Sequence, residues 1–532
     1  MGAGKSSVAP LLARCIDLPV RDIDSLIEKK AGRSVSLIFS ELGESRFRDL
    51  EFEMLEEVLE HGSAVIAAGG GTLCDPAAWR SIRAAGALTV FLSVPPRILS
   101  RRVTEKGRPL LAGAREAGDR EERLHAILLE REAWFRRCDI HIDASRDLGG
   151  VVNAAREAVL DALQRSVHLR LGSKSHCFWL RDSLRELGED VARRLPPDGA
   201  ARRCALICDD NVLEVYGETA TESLRAAGYC VRLETFRPGE SQKNLETVGR
   251  LIDGILSSGH QRGGPIVALG GGVTGDVAGF VGAILHRGCP VIQVPTTLLA
   301  MIDSSIGGKT GVNHSVGKNL IGSFHQPVLT CAPLDTLHSL GNREFLSGLA
   351  EMVKVALLER GWSLLSCLEK EADQLVERDM DTLRDVVKRC VSLKADLVCR
   401  DPLDLTGSRR LLNLGHTLGH ALEAGGDYDQ WTHGEAVGLG LMGAARVGAS
   451  IGSSPEDLEQ RLGRLLAGFG LPSDVSPLLS SGVLSRVMFD KKCEGAKIGF
   501  VVPIAGGGAK SVPLSVNEIE FHMRSSRRGA ST

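Results

Sequence analysis

Short apolar runs at 64–68 and 88–94 alternate with charged segments whose apolar positions recur at helical spacing, throughout residues 1–165. That alternation predicts a parallel α/β layer, with strands covered on both faces by helices. The last helical stretch, 149–164, runs almost directly into a strand-like segment at 167–171, so the join to the next domain is only a few residues long. From 167 to 330 the alternation resumes, with strands predicted at 204–208, 266–269 and 291–294, each followed by glycines or a polar turn. Beyond 330 strand-like runs nearly vanish. Helix-period segments at 345–359, 382–397 and 411–423 dominate until one more apolar run at 498–502. The pattern predicts an α/β domain over 1–165, a second over 167–330, a mostly helical domain over 331–522, and a small, basic, frayed tail at 523–532.

Composition narrows the function classes. A chain of 532 residues with 43% hydrophobic and 25% charged positions has material for several cores and is not a disordered or fibrous protein. Its 64 basic and 67 acidic residues leave a formal charge of -3, which lacks the broad positive field that binding to nucleic acid needs. No apolar stretch approaches the ~20 residues that span a bilayer, and no signal-peptide pattern opens the chain. We therefore expect a cytoplasmic protein with no nucleic-acid or membrane partner. The thirteen cysteines include no C-x-x-C pair, and the closest two are Cys204 and Cys208, which argues for small buried hydrophobes over thiolate zinc sites. Glycine is more telling, because runs at 69–71, 270–272 and 307–308 mark places where backbone turns sharply or approaches a ligand.

The opening Met1-Gly2-Ala3-Gly4-Lys5-Ser6-Ser7 carries the second half of a G-x-x-x-x-G-K-[ST] loop, in which backbone N–H groups and a lysine cradle phosphates while a hydroxyl binds Mg²⁺. Alone this fragment is weak evidence. It is followed by Asp22 and Asp24 after a strand-like run, Arg48, Gly69-Gly70-Gly71 at a strand end, Arg108-Pro109-Leu110 and Arg131. Three arginines and a carboxylate beside a phosphate loop suit a small anionic polyol. Together these motifs resemble shikimate kinase. The resemblance implies ATP with Mg²⁺ and phosphorylation of the 3-hydroxyl of shikimate. Gly2, Gly4, Lys5, Ser6 and Ser7 would hold the nucleotide, Ser6 and Asp22 the Mg²⁺, and Asp24 would stand near the reacting hydroxyl. Arg48, Arg131, Gly69, Gly70 and Gly71 would hold shikimate, and Arg108 would be the lid arginine over the phosphates. The family has a strand and a further glycine before this point. Either the natural start lies upstream of Met1, or, with that first strand missing, we expect an exposed sheet edge, an incomplete phosphate cradle and weak or no kinase activity, or a non-catalytic module.

In the remainder, Gly270-Gly271-Gly272-Val273-Thr274-Gly275-Asp276 follows a predicted strand, where a helix start can receive a pyrophosphate. Asp209 and Asn211 end another strand, and Pro238-Gly239-Glu240-Ser241-Gln242-Lys243 forms a polar loop, so a dinucleotide site is expected. Glu351, His416 and His433 are the residue types of a His₂Glu catalytic zinc site with an open position. His416 and His420 share one helix face, as do Glu351 and Lys354. A cationic group, Lys309, Lys318, Lys354, Lys394, Arg409 and Lys491, accompanies Asp303 and Asn319, and suits a substrate with both phosphate and carboxylate.

These stretches, with Pro295-Thr296-Thr297, Ala350-Glu351, Gly415-His416-Thr417 and His433-Gly434-Glu435 in one order, resemble 3-dehydroquinate synthase over 167–520. The resemblance implies a zinc or similar divalent ion on Glu351, His416 and His433. NAD⁺ would be held by Asp209, Asn211, Glu240, Lys243, Gly270, Gly271, Gly272, Val273, Asp276, Thr296, Thr297 and Lys318. Lys309, Lys354, Asp303 and Asn319 would serve catalysis, with His420 as a proton relay. Lys394, Arg409, Asn413 and Lys491 would bind substrate, with Arg287 reaching one across a subunit boundary of a homodimer. The implied reaction converts 3-deoxy-D-arabino-heptulosonate 7-phosphate to 3-dehydroquinate and phosphate. The implied fold is a P-loop kinase-like parallel sheet, then an α/β NAD-binding domain and a mostly α-helical metal and substrate domain. Gly341 stands where the family usually has proline, with no catalytic consequence expected. The competing readings are a metal- and NAD-dependent alcohol dehydrogenase, or a cyclase for another sugar phosphate.

Overall fold

The computed structural model of the chain describes residues 2–103, 111, 116–425, 430–487, 493–494 and 497–525. The chain divides into two compact units, the first comprising 1–164, 170–176 and 192–196, the second 165–169, 177–191 and 197–532.

In the first unit, helix α1 (Lys5–Cys15) starts from Gly4, whose φ of 93° is open to glycine at no steric cost. Strand β1 (Val20–Asp22) leads straight into α2 (Ile23–Ala31), capped by the Asp22 carboxylate, which accepts from Ser25 N at 3.2 Å. Helix α3 (Val35–Glu60) is broken at Gly43, where φ is 79°. Strand β2 (Val65–Ala67) runs parallel to β1, and β3 (Val90–Ser93) runs parallel to β4 (Ile140–Asp143). Among the described residues these are separate parallel pairs, whereas the sequence pattern predicts one continuous layer. Ile23, Ile27, Ile38, Phe47, Met54 and Leu55 form a core between α2 and α3.

The second unit is built on a seven-stranded sheet ordered β5 (Ser166–Leu169), β6 (His176–Arg181), β13, β10, β9, β7 (Arg203–Asp209) and β8 (Cys230–Phe236). In it β9 is Ile266–Gly270, β10 is Val291–Pro295 and β13 is Leu329–Pro333. Every residue of β9, β10 and β13 is buried, which is why these strands read as continuous apolar runs. Between β10 and β13 an antiparallel hairpin, β11 (Lys309–His314) with β12 (Gly317–Phe324), projects from the sheet order.

Helix α4 (Gly272–Ile284) follows β9 through the glycine turn. A Cβ at Gly270 would fall 2.6 Å from Thr274 Oγ1, and φ there is 157°, so the sharp turn requires glycine. The helical part contains α5 (Asn342–Leu358), α6 (Met380–Arg400), α7 (His416–Gly425), α8 (His433–Ser450), α9 (Leu458–Gly468) and α10 (Val516–Arg524). The segment 411–423, expected as one helix, divides into a 3₁₀ turn (Ser408–Asn413) and α7, because Gly415, with φ of 78°, breaks the path. The tail is also shorter than expected: Met523 is fully buried in α10, since its side chain completes the apolar face with Ile519, while 526–532 lie outside the described residues. No helix among the described residues is long and apolar enough to cross a membrane.

Candidate functional site

In the first unit the loop before α1 and the end of β1 meet: Ser6 Oγ donates to Asp22 Oδ2 at 3.0 Å. Gly2 is packed so closely that a Cβ there would lie 2.4 Å from Val103 Cγ1. Ser7 contributes its backbone N–H to Gly4 O at 3.0 Å. Asp24 is exposed as a residue, yet the protein around its carboxyl, then the charges of Glu51 and Asp22, raise its pKa above the ordinary range, with Lys5 opposing. The three glycines at 69–71 abut a cationic pair. Arg131 donates to Gly70 O at 2.8 Å, and a Cβ at Gly71 would strike the Arg48 guanidinium.

Glu51, which belongs to none of the sequence motifs, anchors this corner. It is only 2% exposed, accepts from Thr72 Oγ1 at 2.8 Å, and pairs with Arg48, which also donates to Glu44 at 2.8 Å. Its spacing of three from Arg48 on α3 was the available signal. Arg108 lies outside the described residues.

In the second unit the sheet's C-terminal edge collects the residues assigned to a dinucleotide. Asp209 Oδ1 accepts from Val212 N at 3.1 Å and its Oδ2 from Thr274 Oγ1 at 3.2 Å, which ties the end of β7 to the glycine turn. Thr296 N donates to Gly270 O at 3.0 Å, and Thr297 Oγ1 accepts from Ala300 N at 3.1 Å. Gly271 and Gly272 face Thr297 and Ser304, where a Cβ would be crowded at 3.2 Å in each case. Val273 is partly buried against the core, and Asn211 and Lys318 are exposed. Lys243 Nζ lies 2.5 Å from both Asp276 Oδ2 and Asn319 Oδ1. Burial raises the Asp276 pKa against that lysine. Glu240 accepts from Asn313 Nδ2 at 2.8 Å.

A buried charge network joins α5, α6 and the turn Ala300–Ser304. Lys354 Nζ lies 2.5 Å from Glu351 Oε2 and 3.4 Å from Asp303 Oδ1, while Lys394 donates to Asp303 Oδ1 at 2.6 Å. Burial works against the ionised Asp303, but Lys354 and Lys394 hold its carboxyl well below the usual range. Burial lowers the Lys394 pKa, with Lys354 adding to the effect against Asp303. Arg409 is buried and donates to Gly307 O and Pro402 O, both at 3.3 Å. Two predicted members pair elsewhere: Lys309, 55% exposed, with Asp404 at 2.6 Å, and Asn319 with Lys243 as above. Asn413 donates to Arg410 O at 3.1 Å. Arg287 stands exposed on a turn where φ is 52° at His286 and 62° at Arg287 itself. Lys491 lies outside the described residues.

The metal-type residues converge. Glu351 Oε1 is 3.2 Å from His433 Nε2 and 3.5 Å from His416 Nε2. Two ligands at zinc bond lengths of ~2.1 Å and a tetrahedral angle would be about 3.4 Å apart, so the spacing fits. Both Glu351 oxygens are buried, with Oε2 facing the Lys354 ammonium and Oε1 facing the two imidazole nitrogens, a donor set of the kind that holds a divalent ion. Burial and the Lys354 charge hold His416 well below the ordinary imidazole range, in its ligating neutral form. Burial opposes protonation of His433, yet contacts with Glu351 and Glu423 raise its pKa to about 10. His420 is exposed, its ring centre 5.2 Å from that of His416. Glu423, not predicted from sequence, also belongs here, 3.5 Å from His433 Nδ1.

Glycine lets the helices bring these side chains so close. A Cβ at Gly440 on α8 would fall 2.0 Å from Gly415 O, and one at Gly434 would fall 2.1 Å from Ser347 O on α5.

Comparison with known proteins gives this geometry a family. The N-terminal and C-terminal domain families of 3-dehydroquinate synthase match residues 234–347 and 348–493. A 3-dehydroquinate synthase from Acidithiobacillus ferrooxidans is 43% identical over 299 residues, covering 56% of this chain and 81% of the relative. The chain belongs to the 3-dehydroquinate synthase family. A second such synthase, from Caulobacter vibrioides, is 41% identical over 352 residues, covering 65% of this chain and 94% of that one.

Two solved structures are similar to this chain. A 2-deoxy-scyllo-inosose synthase complexed with carbaglucose-6-phosphate, NAD⁺ and Co²⁺ matches with a TM-score of 0.58 at 25% identity, covering 68% of this chain and 99% of that one. A 2-epi-5-epi-valiolone synthase from Streptomyces hygroscopicus subsp. jinggangensis 5008, with NAD⁺ and Zn²⁺ bound, gives 0.59 at 26%, covering 65% and 95%. The shikimate kinase family matches residues 1–162, so the chain is a fusion of two shikimate-pathway enzyme domains.

Proposed function

We propose that the second unit converts 3-deoxy-D-arabino-heptulosonate 7-phosphate to 3-dehydroquinate and phosphate. The observation that carries this reading is the convergence of Glu351, His416 and His433 beside a buried Lys354–Asp303–Lys394 network. When bound, NAD⁺ supplies a reversible hydride acceptor and a divalent ion supplies a Lewis acid for the hydroxyl being oxidised. Glu351, His416 and His433 hold the ion. Asp209, Lys243, Asp276 and the glycine turn receive the dinucleotide. Lys394, Arg409 and Lys309 offer cations to the substrate's phosphate and carboxylate, and Asp303 keeps Lys354 and Lys394 charged and directed. In this reading His420, exposed beside His416, passes a proton to and from the substrate, a role its exposure and its closeness to His416 support.

The test is product identification with purified full-length chain and catalytic NAD⁺. Dehydroquinate and inorganic phosphate in equal amounts, with no net NADH, are expected. Stoichiometric NADH would indicate an alcohol dehydrogenase, and turnover of a different sugar phosphate alone would indicate another cyclase. His416→Ala should lose metal and activity together, measured by elemental analysis, whereas His420→Ala keeps the metal.

The first unit, in the same proposal, phosphorylates shikimate with ATP and Mg²⁺. Ser6 and Asp22 hold the Mg²⁺, Asp24 accepts the hydroxyl proton, and Arg48 and Arg131 bind shikimate against the glycines at 69–71. ATP-dependent formation of shikimate 3-phosphate by the full chain tests this, and its absence alongside shikimate binding would assign a non-catalytic module. A homodimer through the second unit, with Arg287 reaching a partner's substrate, completes the proposal; light scattering and Arg287→Ala kinetics test it.

A further inference from the structure

The His433 imidazole has a nitrogen on either side, and only one of them faces Glu351. Its backbone is fixed firmly. His433 is the first residue of α8, Thr432 caps that helix in a reciprocal box with Glu435, and Gly434 N donates to Ser347 Oγ at 2.8 Å on α5. The ring itself is freer, with 33% side-chain exposure and a broad, two-fold χ2 preference. A flip about χ2 would exchange Nε2 and Nδ1 in their roles. His416 faces the same choice and resolves it with backbone, placing Nδ1 3.1 Å from Leu414 O while Nε2 turns to Glu351. For His433 the corresponding partner is Glu423, whose Oε2 stands 3.5 Å from Nδ1.

Glu423 is buried, which is costly for a carboxylate without a role. It lies seven residues after His416 and three after His420 on α7, so the three share one face of that helix.

We propose that Glu423 is the positioning residue of the metal centre, accepting the Nδ1–H of His433 and so directing the Nε2 lone pair toward Glu351 and His416. This rests on the reading of Glu351, His416 and His433 as ligands. The carboxylate fixes tautomer and ring orientation together and makes Nε2 a stronger donor to the ion. A second ion on His420, Glu423 and His433, whose ligand atoms also lie within 4.8 Å of one another, would instead require His433 to serve two ions at once.

The experiment uses full-length Glu423→Gln, loaded with Zn²⁺ or Co²⁺. Competition with a chelator of known affinity should show zinc held ~10–100-fold more weakly than in wild type, and the Co²⁺ visible spectrum should change. NAD⁺ binding by the same sample should stay within about twofold, which reports an intact fold, and Glu423→Asp should recover part of the affinity. Should Glu423→Gln fail to fold, Glu423→Asp carries the same test with a smaller loss. Unchanged zinc affinity and Co²⁺ spectrum would overturn the proposal, as would a second zinc per wild-type chain that His420→Ala removes. A wild-type chain that binds no ion would instead overturn the ligand triad itself.

Discussion

Lys354 Nζ lies 2.5 Å from Glu351 Oε2, one turn earlier on the same helix, and both side chains are 1% exposed. A buried pair of this kind contributes little net stability as a pair, but removing one partner strands the other. Lys354→Met should destabilise the metal-free chain by about 3–5 kcal/mol in urea unfolding. The loss should be smaller with zinc present, because the ion offers Glu351 the positive charge that the lysine no longer supplies. Equal losses with and without zinc would argue against Glu351 as a ligand.

The approach of α7 to α8 depends on absent side chains. Gly440→Ala would place a methyl 2.0 Å from Gly415 O, a backbone atom that cannot rotate away. We expect a loss of at least about 1–3 kcal/mol and weaker metal binding, since Gly415 adjoins His416. Gly468→Ala, at the end of α9 with nothing within 4 Å, is the control and should be neutral or slightly stabilising. Chemical denaturation and zinc titration of both variants check this.

Much of this was readable in the sequence because it is local. The run 266–269 is apolar throughout since β9 is buried on both faces, and the glycines after it mark a turn whose φ only glycine adopts freely. Glu351, His416 and His433 stand out by type and by their neighbours. Glu423 and Glu51 do not, since a carboxylate on a helix usually faces solvent; only their burial against a histidine and an arginine gives them meaning. Lys309 pairs with Asp404 across 95 residues of chain, a contact that no local pattern encodes. Met523 looked like tail because polar residues follow it, yet it closes the face of α10.

Asp303 should set part of the acid sensitivity. Burial opposes its ionisation, but Lys354 and Lys394 depress its folded pKa below the unfolded value of about 3.9. A depressed carboxyl contributes stability that is fully present above the unfolded pKa and is lost as pH falls toward the folded one. Asp303→Asn should therefore be markedly less stable than wild type near neutrality, and the gap should narrow as pH drops below about 4. Urea midpoints of both chains across that range would show it. A gap independent of pH would mean that packing, not charge, is what Asp303 supplies.

In the kinase domain, two glutamates approach Arg48 from opposite environments. Glu44 is 50% exposed and Glu51 2% exposed by side chain. An exposed ion pair is worth about 1 kcal/mol or less, so Glu44→Gln should leave stability and shikimate affinity nearly unchanged. Glu51 also accepts from Thr72 Oγ1, and it fixes the guanidinium against the glycines at 69–71. Neutralising it leaves Arg48 without its buried counter-charge. Glu51→Gln should cost about 1–3 kcal/mol and weaken shikimate binding, read by calorimetry on the full chain. Equal effects of the two substitutions would show that Arg48 is held by its surface partner rather than by the buried one.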